Sequence, residues 1–285
     1  MLEARMNDGR FGPPPALYPP APGIWRPTPP NFANDPAPWV GNVRPFIVPS
    51  AEMLRTGRAE RAHQCRLRGG LQRGQGGRLT HEHDPNGGRD RCCDLLAGPS
   101  DGALEPDLSH AGRQPGTWTS SSSARLFAME NLAAADALIG CWNDKYYWQF
   151  WRPITAIREA DTDGNPATEA DPTWLPLFDP ATPVCNPPPL FTPPFPDHPS
   201  GHACATSCVR AHAQELLRHR QDWLQRLQQQ IRTTRSFDRF SDALKEVIDA
   251  RVWAGIHFRT ADTQGAVLGK KVAHYLKKHY FQPVR

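Results

Sequence analysis

The sequence lacks an apolar run of about 18 residues, the minimum for a transmembrane helix, and its mean hydropathy is −0.60. It therefore predicts no membrane insertion. The net charge of +4 is small for 285 residues, so nothing indicates nucleic acid or an anionic membrane surface as a partner. The first residues, MLEARMNDGRF, contain no apolar signal-peptide core. We expect a soluble protein with no visible signal peptide. The sequence does not decide whether it is cytoplasmic or exported.

Cysteine patterning excludes two further classes of protein. Cysteine occurs seven times, an odd number, and no two cysteines have the C-x2-C spacing of a zinc or redox site. Cys92 and Cys93 are adjacent, which is awkward for a disulfide between them. The sequence therefore predicts free thiols and not a disulfide framework.

Composition divides the chain into three segments. Residues 1–50 form a proline-rich N-terminal arm, whose aromatic residues are expected to anchor extended chain on a surface. Residues 51–120 contain no Ile, Val, Phe or Tyr but 12 of the 22 glycines, so we expect this segment to be disordered or aberrant. A reading-frame error would produce such a stretch, and translating the gene in its other two frames tests that hypothesis. Residues 121–285 hold the motifs described below and form the expected catalytic domain.

Helical periodicity dominates the third segment, where no alternating strand pattern occurs. We expect one helix from Ser123 to Arg152, because Pro153 disfavours the α conformation of the residue before it. Further helices are expected over residues 202–231, 236–254 and 263–280. In the last of these, the expected inward positions are Val267, Leu268, Val272 and Leu276. The predicted fold class is mainly α, a helical bundle with long proline-rich irregular segments.

Two cations lie near the end of the first predicted helix. Lys145 and Arg152 are seven residues apart, about 700° of helical rotation, so both side chains are expected on one face and about 10.5 Å apart. Such a pair can hold opposite sides of one anion, although a solvated helix face would explain two cations equally well. The aromatic residues around them favour burial, and buried cations need a counter-charge.

The segment Pro199-Ser200-Gly201-His202 precedes a predicted helix start. The Gly201 amide can approach a ligand oxygen closely, and the N-terminus of a helix favours an anion. Ser200 can donate a hydrogen bond to a second oxygen. His202 has an ordinary pKa near neutrality, which suits it to proton transfer. A simple turn before a helix is the alternative interpretation.

A third motif, Arg251-x5-His257-x4-Asp262, adds a cation, an imidazole and a carboxylate. Arg251 would be a third cation on the anion, and His257 could attack the anion or coordinate it. Asp262 is expected to orient the His257 ring through the other ring nitrogen. A salt bridge within a helix pair is the alternative for Arg251 and Asp262. Together the three motifs predict a pocket for a tetrahedral oxyanion.

In this order the motifs resemble the signature shared by type 2 phosphatidic acid phosphatases, bacterial acid phosphatases and vanadium-dependent haloperoxidases. The stretches GIWRPTPPNFANDPAPWVGNVRPF, FPDHPSGHA and ARVWAGIHFRTAD are most similar to the soluble bacterial haloperoxidase-related branch. The similarity covers residues 11–50, 123–206 and 234–283, and Ala250 stands where the signature usually has serine. The resemblance implies a helical-bundle domain of the same type.

The resemblance also implies a cofactor and residue roles. Vanadate would be the bound oxyanion, with phosphate as a competing isostere. Its equatorial oxygens would be held by Lys145, Arg152, Ser200, Gly201 and Arg251. His257 would be the axial vanadium ligand or the phosphohistidine nucleophile, and His202 the acid–base residue. Trp142 would line the pocket, and Lys145 would also polarise bound peroxide.

Three functions remain open on the sequence alone. The first is a vanadate-dependent haloperoxidase that oxidises halide or a small organic substrate with hydrogen peroxide. The second is a phosphomonoesterase of the acid-phosphatase type, in which His257 attacks phosphorus and His202 protonates the leaving group. The third is an inactive or damaged family member, because residues 51–120 interrupt the scaffold. Vanadate and phosphate are nearly isosteric, so only the similarity outside the motifs favours vanadate.

Overall fold

The computed structural model describes residues 3–57, 71–73, 79–81, 120–177, 179, 191–216, 237 and 239–282. Its α-helices are α1 (Ser120–Trp148), α2 (Pro153–Arg158), α3 (Gly201–Leu216), α4 (Phe240–Trp253) and α5 (Arg259–His279). Strands β1 (Leu71–Arg73) and β2 (Leu79–His81) form a small antiparallel hairpin. Short 3₁₀ turns occur at Glu3–Arg5, Pro38–Asn42, Ala51–Leu54 and Ala160–Thr162. The predicted mainly α fold class is confirmed.

The main core lies where α1, α3 and α5 meet. On α1 the buried residues recur every four positions, which places them in one stripe: Met129, Ala133, Ala137 and Cys141. On α5 the predicted inward residues Leu268, Val272 and Leu276 are fully buried, but Val267 is 42 % exposed, so that prediction was wrong. Val267 precedes Leu268 by one residue, a rotation of about 100° that takes it off the buried face. None of the described helices has both the length and the apolarity to span a membrane.

The first long helix ends earlier than its sequence predicted. It stops at Trp148, and Gln149 takes a positive φ of 45°. The arm supplies the competing hydrogen bonds: the Trp25 amide donates to the Gln149 carbonyl at 2.7 Å, and the Trp151 amide donates to the Gly23 carbonyl at 3.1 Å. Because these backbone groups pair with the arm, they are satisfied without continuing the helix.

This early end separates the two cations that the sequence placed on one helix face. Lys145 stays in the last turn of α1, whereas Arg152 is the extended residue that precedes α2. Pro153 occupies the first helical position of α2 and excludes Arg152 from helical conformation, as predicted. The prediction of a shared face was wrong, and the two cations reach the site from different elements.

The other helices begin within about one turn of the expected positions. Helix α3 begins at Gly201, and residues 217–231 of its expected length lie outside the described residues. Helix α4 begins at Phe240. Helix α5 begins at Arg259, so Asp262 lies in its first turn and not ahead of it.

Buried carboxylates tie the N-terminal arm to α1. Asp136 is fully buried on α1 and accepts hydrogen bonds from the three successive amides of residues 46–48, at 2.6, 2.8 and 2.9 Å. In the opposite direction, Asp35 of the arm accepts from Trp142 Nε1 at 3.0 Å and from the Tyr146 hydroxyl at 2.8 Å. The proline-rich arm, which has few helical bonds of its own, is therefore fixed by side chains of the bundle.

The ordered arm continues past the boundary at residue 50 that composition predicted. Ala51–Leu54 forms a 3₁₀ turn, and Leu54 is buried against Gly140 of α1. The chain is described as far as Gly57. Of the remaining residues in the segment predicted to be disordered or aberrant, the two hairpin strands and Ser120, where α1 begins, are described, and the rest lies outside the described part.

Two glycines of α5 allow it to contact α3 closely. A Cβ at Gly265 would lie 2.5 Å from the Ser200 carbonyl oxygen, and a Cβ at Gly269 would lie 2.2 Å from the Cys204 carbonyl oxygen. Both contacts are with backbone, which cannot move aside as a side chain would. The helix pair therefore depends on glycine at these positions.

Gly269→Ala is expected to lower the free energy of unfolding by about 1–3 kcal/mol, although alanine has the higher helix propensity by about 1 kcal/mol. The cause is overpacking against the α3 backbone. Urea unfolding measures the change, and Lys270→Ala, on the exposed side of the same helix, should change stability by less than about 0.5 kcal/mol. A Gly269→Ala variant as stable as the Lys270→Ala variant would contradict this packing.

Candidate functional site

The structure brings the three motifs together in one place between the ends of five helices. The contributing elements are the last turn of α1, the residue before α2, the loop leading into α3, the last turn of α4, and the α4–α5 connection with the first turn of α5. The buried members are Lys145, Arg152, Ser200, Gly201, Arg251, His257 and Asp262. Trp142 is half-buried and His202 is exposed. The pocket thus has a buried cationic floor with Trp142 and His202 on its accessible side.

Lys145 holds the loop that precedes the Ser-Gly pair. Its ammonium group donates to the carbonyl oxygens of Pro196, Asp197 and Pro199 at 2.7, 3.1 and 2.6 Å. An ammonium group has three protons, so these bonds use all of its donors. Burial lowers the pKa of Lys145 to about 8. Lys145 therefore contributes charge to the site while its hydrogen bonds fix the loop.

Arg152 has one buried donor nitrogen to spare. Its Nε donates to the Phe195 carbonyl at 2.9 Å, and Nη1 donates to the Ile256 carbonyl at 2.7 Å. Nη2 is buried and has no hydrogen-bond partner among the described residues. Burial lowers the pKa of Arg152 to about 10, so the group remains charged at neutral pH. A buried, charged donor without an acceptor is costly, and an anion would satisfy it.

The start of α3 supplies a second buried donor. The Ser200 hydroxyl is buried beside the Asp262 carboxyl group, and its hydrogen bond opposes the rise in the pKa of Asp262 that burial causes. Gly201 follows at the N-terminus of α3, where free amides and the helix dipole favour an anion. A Cβ at Gly201 would lie 3.1 Å from the Trp142 ring, so glycine keeps the space between helix start and indole open.

His257 is a buried neutral imidazole held by a carboxylate. Its Nδ1 lies 2.8 Å from Asp197 Oδ1, and both side chains are buried. Burial holds the pKa of His257 well below its ordinary value, and the charges of Arg152, Lys145 and Arg251 act in the same direction. At neutral pH the ring therefore keeps a free lone pair on one nitrogen.

The carboxylate on His257 is not the one that the sequence predicted. Asp262 was expected to orient the ring, but its oxygens make no hydrogen bond to His257 in the described part of the chain. Burial raises the pKa of Asp262 to about 8, against the opposing influence of Ser200 and Arg251. Asp197 makes the contact instead; it was visible in the sequence FPDHPSGHA, where it stands five residues before His202 and carried no spacing signal of its own.

His202 lies on the first turn of α3 with its side chain exposed to solvent. The positive charge of Arg251 holds the pKa of His202 well below its ordinary value, and desolvation, Lys145 and Arg152 add to the effect. The ring of His202 is therefore accessible to solvent beside the cations of the site. A neutral imidazole placed there can accept a proton from a molecule that binds at the site.

A second buried histidine, His198, links the arm to the loop of the site. Its Nε2 lies 3.0 Å from the Gly57 carbonyl oxygen, an acceptor only, so Nε2 carries the proton. The same nitrogen lies 3.2 Å from the Thr56 hydroxyl, which donates to Asp144 at 2.7 Å. Burial lowers the pKa of His198 to about 4. None of these four residues belongs to a motif that the sequence suggested.

The His198 contact predicts a pH-dependent contribution to stability. As pH falls below about 6.5, the unfolded state takes up a proton on His198 while the folded state stays neutral down to about 4, so stability present above pH 6.5 is lost. From pH 7.5 to pH 5, the free energy of unfolding of wild type should therefore fall by about 2 kcal/mol more than that of His198→Gln. Urea unfolding at both pH values measures it, and a difference that is independent of pH would disprove the neutral buried state.

The candidate site of this helical-bundle protein therefore consists of buried cations, a buried hydroxyl and a helix start around a neutral imidazole. A family model described as the VCPO second helical-bundle domain matches residues 125–285. The chain therefore belongs to this family. It is also 48 % identical over 80 residues to the vanadium chloroperoxidase of Curvularia inaequalis, a stretch that covers 28 % of this chain and 12 % of that protein.

Solved structures share the fold. A bacterial vanadium-dependent iodoperoxidase is 20 % identical with a TM-score of 0.55, over 92 % of this chain and 62 % of that one. The holo form of a bacterial vanadium-dependent chloroperoxidase is 16 % identical with a TM-score of 0.59, over 98 % of this chain and 70 % of that one. This chain spans about an eighth of the length of the chloroperoxidase that it matches in sequence, and under two thirds of the iodoperoxidase.

Proposed function

We propose that this protein is a vanadate-dependent haloperoxidase-type enzyme, which oxidises a halide or a related small nucleophile with hydrogen peroxide. The observation that carries the proposal is two buried donors beside the neutral imidazole of His257: Arg152 Nη2, which has no hydrogen-bond partner among the described residues, and the Ser200 hydroxyl. Such donors fit a tetrahedral oxyanion, and a free imidazole lone pair fits its central atom. Membership in the VCPO domain family favours vanadate over phosphate as that oxyanion.

The residues that would hold vanadate come from all three motifs. Hydrogen bonds to its oxygens would come from Arg152, Ser200, the Gly201 amide and Arg251, with the charge of Lys145 behind them. His257 would bind vanadium through Nε2. When bound, vanadate would supply oxygen transfer from hydrogen peroxide to the nucleophile, while the protein supplies charge and geometry.

His202 would move the proton. Because neighbouring cations keep its ring neutral, a ring nitrogen can take a proton from hydrogen peroxide that enters the cleft. Trp142 and Phe195, with ring centroids 5.0 Å apart, lie beside the Lys145 ammonium group. These two rings would limit water access on that side, which strengthens the electrostatic attraction of the anion.

The test compares purified protein with and without orthovanadate. Halide-dependent consumption of hydrogen peroxide that requires vanadate is the expected result, with chloride, bromide and iodide tested separately. Release of phosphate from a generic phosphomonoester, inhibited by vanadate, would instead assign the pocket to the phosphomonoesterase alternative. Neither activity, together with no binding of vanadate by titration calorimetry, would identify an inactive member of the family.

A further inference from the structure

Asp197 is held rigidly by its own backbone. Its amide donates to the Phe150 carbonyl at 2.9 Å, and its carbonyl accepts from Lys145 Nζ at 3.1 Å. The side chain is fully buried. A carboxylate fixed in this way can hold a partner in one orientation, because it has little freedom to follow a ring that turns.

Among the described residues, Asp197 is the one whose contact distinguishes the two ring nitrogens of His257. Arg152 Nη1, which can only donate, lies 3.4 Å from Nδ1 and 3.3 Å from Nε2, so it disfavours a proton on either nitrogen about equally. Asp197 Oδ1 lies 2.8 Å from Nδ1. In its ionised form the Asp197 carboxyl group only accepts hydrogen bonds, so its contact then places the ring proton on Nδ1.

We infer that Asp197 is a positioning residue that keeps the proton of His257 on Nδ1 and so leaves the Nε2 lone pair free to bond the central atom of an oxyanion. The identity of that oxyanion as vanadate rests on the proposed function, but the tautomer does not. The residue in this role is Asp197, in the loop before α3, and not Asp262, in the first turn of α5.

Asp197 also neighbours Arg152, which gives a competing explanation of its burial. The distance from Arg152 Nη1 to Asp197 Oδ1 is 3.6 Å, too long for a good hydrogen bond. Arg152 Nη1 already donates to the Ile256 carbonyl at 2.7 Å. The shorter contact of Asp197 is with His257, so the carboxylate does more than balance the charge of Arg152.

The tautomer is measured in the protein without any added anion. In protein labelled with 15N histidine, the His257 ring signals are identified by their loss in His257→Gln. Wild type is expected to show a protonated Nδ1 and an unprotonated Nε2, and Asp197→Asn is expected to lose this preference, because an amide can also donate to Nδ1. If Asp197→Asn does not fold, Asp197→Ala serves the same purpose. An unchanged tautomer in the variant would overturn the inference.

Binding of two oxyanions separates tautomer control from simple electrostatics. Orthovanadate needs the Nε2 lone pair, whereas sulfate needs only cations and hydrogen-bond donors. Asp197→Asn is expected to weaken vanadate binding about 10- to 100-fold. Sulfate should bind at least as tightly as in wild type, because a negative charge has been removed from the pocket. Affinities for both anions that move in the same direction would overturn the inference.

Asp249→Asn is the matched control. It removes a carboxylate that lies outside the site and pairs with Lys245 and Arg259, so the affinities for both anions are expected to stay within about twofold of wild type. A wild-type protein that binds sulfate but shows no preference for vanadate would contradict the proposed function. The NMR result on the tautomer would then still decide the role of Asp197.

Discussion

Replacing His257 by alanine is expected to abolish vanadate-dependent peroxide consumption, with a loss of at least about 10³-fold in kcat/KM. Removing one hydrogen-bond donor to an anionic transition state lowers the rate by up to about 10³-fold. Losing a bond to the central atom is expected to lower the rate more. The loss is expected because this ring, a neutral imidazole among buried cations, is the proposed nitrogen ligand. Steady-state assays over a range of orthovanadate concentrations measure it, since saturation with vanadate should not restore the activity.

His274→Ala is the control for this variant. His274 lies exposed on α5, away from the buried floor of the pocket, and its removal should leave activity within about twofold of wild type. Thermal unfolding of both variants separates loss of the site from loss of the fold. A folded His257→Ala protein that keeps wild-type activity would contradict the assignment of the pocket.

Replacing Arg152 by lysine is expected to weaken oxyanion binding about 10- to 100-fold, even though the charge is kept. An ammonium group cannot replace the planar fork that donates to Phe195 and Ile256 and presents Nη2 to the pocket. Arg152→Ala should also lower the free energy of unfolding by about 3–5 kcal/mol, because it removes the cation that interacts most strongly with the buried Asp197. Calorimetric titration with sulfate measures the affinity, and urea unfolding measures the stability.

Arg158→Ala is the control for the Arg152 variants. Arg158 lies on α2 a few residues further along and donates from Nε to the Trp174 carbonyl at 2.9 Å, but it is only partly buried. Its removal should lower the free energy of unfolding by about 1 kcal/mol and leave the affinity for sulfate unchanged. Equal effects of Arg152→Lys and Arg158→Ala on sulfate binding would contradict a special role of Arg152.

The sequence predicted the members of the candidate site better than their arrangement. Motif spacing selected Arg152, Ser200 and His257 as candidates, because an oxyanion site would need cations, a hydroxyl and an imidazole, and the structure brings these residues together. The shared helix face of Lys145 and Arg152 was wrong, because spacing along a helix cannot reveal that the distant arm pairs with the backbone at Gln149. The end of a helix in a protein is set by tertiary hydrogen bonds as much as by local propensity.

The residues that sequence analysis missed act across long separations in the chain. Asp197 contacts His257 over 60 positions, and Thr56 reaches His198 over 142. No local period or spacing encodes such pairs, and a single aspartate in a proline-rich loop is more often a turn residue than a ring partner. The amphipathic pattern of α5, in contrast, is local, and for that reason three of its four predicted inward residues are buried.

The central claim is that these motifs form one oxyanion pocket with His257 at its base, and a crystal structure of the protein grown with orthovanadate tests it most directly. We expect vanadate bonded to His257 Nε2, with oxygens within hydrogen-bond distance of Arg152 Nη2 and Ser200 Oγ. Vanadate bound elsewhere, or a pocket whose cations are paired only with Asp197 and Asp262 at saturating vanadate, would contradict the claim.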